Sequence, residues 1–356
     1  MGMMFALQSQ GNLYRKRVQL METGKRRGLG EEELMVSLSG SQGEGSEERE
    51  GGRTIWTIGG GKGGSGKTFI AVNLGICLSR FGDEVVLIDT DLGGANIHTF
   101  LGLSYPKRTL SDLINKRVEG IRDVVIETDI PNLGLVVGAQ DLLNAANPKD
   151  QQKWKLIRHI NSLDVDYIIL DLGAGSSFNV LDFFLISKNK ILVVTPEPTC
   201  IENTYRFIKS AFFRKVKKVI SHFGVKEIID KAMDQRNERG IKTPFDIIEL
   251  AGEIDKSISL RLEHELEIFR PKLIINQVRT KNDVDMGFSM QSAFLKYFGI
   301  SMDYLGYVVY DDEVWQSIQR RKPLVLEFPQ SKASKCINEI TLKLILDKPF
   351  LFNSEG

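Results

Sequence analysis

Between Gly59 and Thr68 the chain reads Gly-Gly-Gly-Lys-Gly-Gly-Ser-Gly-Lys-Thr. The stretch Gly61 to Thr68 has the form G-x-x-x-x-G-K-[ST], the P-loop pattern. It follows a strand-like apolar run, Thr54 to Ile58, and precedes a helical one. Glycines there let consecutive backbone N–H groups turn inward as a nest for phosphate oxygens. Lys67 matches the charge on the β- and γ-phosphates, and the Thr68 hydroxyl can sit on Mg²⁺. A second lysine, Lys62, stands inside the loop. Its backbone needs are met by neighbouring glycines, so its side chain is expected to be free to reach another phosphate.

Four further positions could serve the same chemistry. Asp89 and Asp91 lie two apart at the end of the run Val85–Ile88, where ligands of open α/β sheets bind beyond the carboxyl ends of strands. One carboxylate there can hold Mg²⁺ through water and the other can orient an attacking water. The run Tyr167–Leu170 ends in Asp171, followed by Leu172-Gly173-Ala174-Gly175. That is a Walker B form, with a carboxylate for the magnesium shell and glycines that let a loop approach and leave a γ-phosphate. Asn276 ends the run Lys272–Ile275.

The loop's K-G-G-x-G-K-T pattern resembles the deviant Walker A loop of the MinD/ParA ATPases, and the likeness covers Arg53 to about Pro329. By that resemblance ATP and Mg²⁺ are the ligands. The nucleotide-binding set is Gly61, Lys62, Gly63, Gly64, Ser65, Gly66, Lys67, Thr68 and Phe69, with Asn276 and Asp311 on the base. Thr68, Asp89 and Asp171 attend the metal, and Lys62, Lys67 and Asp91 are catalytic. The spacing D-x-D-x-x-x-x-N from Asp89 to Asn96 resembles the family's switch I. The resemblance also implies a homodimer bridged by ATP, with Lys62 touching the partner subunit's nucleotide, slow hydrolysis, and a protein partner that reads the nucleotide state. Val309-Tyr310-Asp311 stands where the family has I-P-E/D, which weakens the base assignment to Asp311 or Asp312. This variant, Pro196-Glu197-Pro198-Thr199 and Gly59-Gly60-Gly61 are closest to the flagellar-number regulators of the FlhG/FleN branch. Two features depart from it: the N-terminal tail has no D-Q-A-x-x-L-R-like segment, and the Arg214–Arg270 stretch is longer than usual.

Around these motifs, short Val- and Ile-rich runs alternate with helix-length segments. The rhythm predicts an α/β fold, a doubly wound, mostly parallel P-loop sheet with a helical insertion. Residues 1–52 read as a disordered tail, because Gly40 to Gly52 is almost entirely Gly, Ser, Glu, Gln and Arg. Residues 53–330 are the expected ATPase domain, with two or three extra helices over about 214–270. Residues 331–356 are a helix and tail. Cys336, Ile337, Ile340, Leu342 and Leu344 form an apolar stripe on that helix, and Phe350 and Phe352 follow. The stripe suits packing on the sheet, with peripheral membrane contact the alternative.

Of 356 residues, 47 are Lys or Arg and 46 Asp or Glu. A net charge of +1 argues against generic DNA binding and so against a ParA-like DNA partitioner. Three cysteines, Cys77, Cys200 and Cys336, form no C-x-x-C pair, which disfavours an Mrp-like iron–sulfur carrier and suits a reducing cytosol. No run approaches the ~20 apolar residues of a membrane span. The expected location is cytoplasmic, peripheral at the inner membrane face if the last helix inserts.

Overall fold

The computed structural model describes residues 53–91, 94–138, 150–220 and 243–346. The predicted tail 1–52, the middle of the insertion (221–242), Leu92 and Gly93 of the second motif, and Phe350 and Phe352 lie outside them.

The strands are β1 (Thr54–Gly59), β2 (Val85–Asp89), β3 (Ile126–Glu127), β4 (Leu133–Val136), β5 (Tyr167–Asp171), β6 (Asn189–Val194), β7 (Lys272–Val278) and β8 (Asp303–Val309). The helices are α1 (Lys67–Arg80), α2 (Ile97–Phe100), α3 (Leu110–Ile114), α4 (Asp150–Ile160), α5 (Phe178–Phe184), α6 (Pro198–Ile220), α7 (Pro244–Ile254), α8 (Lys256–Glu267), α9 (Lys281–Phe298), α10 (Asp312–Gln319), α11 (Leu324–Glu327) and α12 (Lys332–Leu346). The strands form one sheet in the order β3-β4-β2-β5-β1-β6-β7-β8. Every expected strand is present. The short β3, antiparallel to β4, was not foreseen. Two residues carry too little periodicity to announce a strand.

The chain divides into two compact units. In the first (residues 53–55, 68–170 and 312–346), β2 and β4 pair in parallel from Val85 with Leu133 to Ile88 with Val136. All five residues of β2 are buried, which explains its unbroken apolar run. On α12, Ala333, Ile337, Ile340 and Leu344 are buried, and Asn338 accepts a hydrogen bond from Cys77 on α1 (3.1 Å). Of the apolar stripe, Ile337, Ile340 and Leu344 are packed inside, while Cys336 and Leu342 are half-buried.

In the second unit (residues 56–67 and 171–311), β6 pairs in parallel with β1 and with β7, and β7 with β8. The chain leaves β6 into α6, a single helix of 23 residues. It runs past Arg214, where the sequence suggested the insertion begins. The basic run there is neutralised internally: Arg214 and Lys218 pair with the fully buried Asp182, and Lys215 with Glu265 (2.8 Å). In the described part of the insertion, α7 and α8 are separated only by Asp255, whose carboxylate caps α8 through the N–H of Ser257.

Candidate functional site

Within the second unit the glycine-rich loop leaves β1 and ends in Lys67, the first residue of α1. Gly64 and Gly66 have φ of 79° and 91°, a region that L side chains rarely adopt. At Gly61 the limit is space, since an added Cβ would lie 2.2 Å from the carbonyl oxygen of Asn203. Lys67 is buried and folds back along the loop, its Nζ donating to the Lys62 carbonyl (3.3 Å). The Ser65 hydroxyl is also buried and has no hydrogen-bond partner among the described residues. A glycine nest with a lysine curled over it and an unsatisfied hydroxyl inside fits an incoming polyanion.

Lys62 departs from expectation. Its ammonium is not free: it pairs with Glu197 at 2.5 Å and donates to the Thr199 hydroxyl at 3.2 Å. The hydrogen bond with Glu197 pushes its pKa up. Glu197 and Thr199 stand between β6 and the first turn of α6, and the sequence reading gave them no role. The available signal was their place, a carboxylate beyond the end of a strand that neighbours the P-loop strand.

Asn276 is nearly fully buried, and its amide donates to the Ser65 carbonyl (2.9 Å) while its oxygen accepts from Gln277 N–H. A β-bulge between Asn276 and Val278, with Gln277 at φ 61°, turns it inward. Here it braces the loop, whereas the resemblance gives it to the base. Asp171 ends β5 and is buried. Tyr310, in place of the family's proline, stacks its ring 3.8 Å from the Arg279 guanidinium, beside the half-buried Asp311.

In the first unit, Thr68 occupies the first turn of α1. Phe69 follows, its side chain sunk in the core, so only its backbone N–H could meet a phosphate. Asp89 is fully buried at the end of β2 and accepts from the N–H groups of Asp91 (3.1 Å), Asn96 (2.8 Å) and Ile97 (3.1 Å). Burial raises its pKa to about 6 against those three hydrogen bonds, and the neighbouring Asp91 adds to the rise. Asp89 thus ties the D-x-D turn to α2. Asp91 itself is half-buried. Gly138, which the sequence reading passed over, lets the segment after β4 approach this turn: a Cβ there would lie 2.8 Å from the Asp89 carbonyl oxygen. Thr68, Asp89 and Asp171 offer hard oxygen donors, the ligand chemistry Mg²⁺ takes.

A mostly parallel sheet with a P-loop after its first strand and aspartates ending β2 and β5 defines a P-loop nucleotide-binding protein. Residues 56–324 match the family described as the CobQ/CobB/MinD/ParA nucleotide binding domain, and the chain belongs to that family. It is 26% identical over 293 residues to the antiactivator FleN of Pseudomonas aeruginosa, covering 82% of this chain and 85% of that one. This match supports the likeness to the flagellar-number branch. It is 34% identical over 153 residues to the septum site-determining protein MinD of a Synechocystis species, covering 42% of this chain and 55% of that one. Among solved structures, the septum site-determining protein MinD complexed with Mg-ADP from Pyrococcus horikoshii shares the fold, with a TM-score of 0.56 and 21% identity over 82% of this chain and 96% of that one.

Proposed function

We propose that the protein is a slowly hydrolysing ATPase that switches between a monomer and an ATP-bridged dimer and so organises a structure in the cell, flagellar number or placement being favoured over the division site. The observation that carries the reading is the loop Gly61–Lys67, a glycine nest with Lys67 folded over it and Asn276 bracing its backbone. Residues 53–330 would act as the switching domain, and a protein partner would read the bound nucleotide. Similarity to FleN over most of both chains favours the flagellar role.

In this reading Lys67 and the loop N–H groups, with that of Phe69, hold the phosphates, and Asp311 borders the base. Thr68, Asp89 and Asp171 would hold Mg²⁺, which supplies charge neutralisation at the phosphates. Asp91 orients the attacking water, and Lys62 reaches the partner subunit's nucleotide. The iron–sulfur alternative is disfavoured because Cys77 is buried, hydrogen-bonded to Asn338, and raised to about 12 by that burial.

Lys67→Ala is the direct test. It should abolish ATP binding measured by equilibrium dialysis, because the phosphate charge would be left uncompensated in the nest. Binding as tight as that of the parent would remove the loop from the reading.

A further inference from the structure

In the first unit, α3 and α4 flank a cavity of about 420 Å³, within the size range of small-ligand pockets. Leu113, Ile114 and Leu156 line its buried apolar part. The polar lining carries Lys116, Lys155, Arg158 and His159, with two glutamines and, among the described residues, no carboxylate. None of the three cations is ion-paired among the described residues. The nearby Asp112 does not compensate them: it caps α3 through the Thr109 N–H and pairs with Arg117. Lys116 sits at the end of α3 with φ 59°, a conformation uncommon for a lysine. Three like charges round one concave, half-apolar space repel one another unless an anion enters. The field is felt at His159, whose pKa is lowered by burial and then by Lys155 and Arg158. It can therefore donate or accept as a neutral ring.

We propose that this groove is a second binding site, taking a phosphate-bearing anion. Two lysine point charges and one planar guanidinium fork suit several phosphate oxygens at once, and the leucine and isoleucine surface suits an apolar body attached to them. The ligand could be a soluble phosphate ester or the headgroup of an anionic lipid. Either has this chemistry, and the groove is independent of the nucleotide reading.

The chain has four histidines, so histidine-labelled NMR of the full protein, assigned with His159→Gln, reads this groove apart from the P-loop. Inorganic pyrophosphate should move the His159 signal saturably. Lys116→Gln/Lys155→Gln/Arg158→Gln, three exposed or half-exposed changes, should weaken that binding at least about tenfold while leaving the melting temperature near that of the parent. If only vesicles containing phosphatidylglycerol move the signal, and phosphatidylcholine vesicles do not, the site is a headgroup pocket. If no probe moves His159, or the triple variant binds like the parent, the proposal is overturned.

Discussion

Lys62 has one partner in the structure and a different one in the proposed dimer. The ammonium pairs with Glu197 within its own chain, and the proposed dimer needs it on the nucleotide across the interface. Exposed pairs of this kind are weak, so the contact is exchangeable rather than locked. Glu197→Gln keeps the shape and removes the charge. It should lower the protein concentration needed for ATP-dependent dimerisation by about two- to fivefold. Lys62→Ala should bind ATP normally but dimerise about 10–100-fold less readily. Analytical ultracentrifugation with ATP and Mg²⁺ distinguishes them, and a Glu197→Gln variant that dimerises less than the parent would sink the exchange. The glycine-rich loop was legible in the sequence because its pattern is set by local spacing. Glu197 was not, since its contact with Lys62 spans 135 positions and depends on β6 lying beside β1.

At the scale of elements, the strands were legible because burial on both faces leaves continuous apolar runs. The start of the insertion was not, because α6 continues the same helical periodicity past the point where its partners change. The first residues of β6 hold a cost that no motif announces. Lys190 is buried, donates to the Ser187 carbonyl and lies over the Phe269 ring. Burial, then the nearby Lys215, push its pKa down to about 8, with Glu265 opposing. A lysine whose folded pKa lies below its unfolded value of 10.5 destabilises the fold while both states are charged, below about pH 8. Stability is regained as pH rises from there to 10.5. Lys190→Met should therefore add about 1–3 kcal/mol to the unfolding free energy at pH 7, with the gain shrinking toward pH 10.5. Urea titrations at pH 7 and pH 9.5 measure it. No gain at pH 7, or a gain independent of pH, would show that the ammonium is well compensated where it lies.

For the whole molecule the switch reading makes one joint demand on binding, assembly and turnover. In the proposed switch, assembly comes from the bridging nucleotide itself. Dimerisation should then vanish with ADP and return with ATP and Mg²⁺. Asp91→Ala separates the steps, because it removes the carboxylate proposed to orient water while leaving the loop and Lys67 in place. It should bind ATP within about twofold of the parent, cut turnover by roughly 10²-fold or more, and accumulate the dimer that the parent forms only transiently. Light scattering coupled to size exclusion, run alongside phosphate release, reads both quantities on one sample. A variant that hydrolyses ATP at the parental rate would take Asp91 out of the chemistry. A parent that stays monomeric with ATP and Mg²⁺ would leave a nucleotide-binding protein whose Lys62 serves only its own chain.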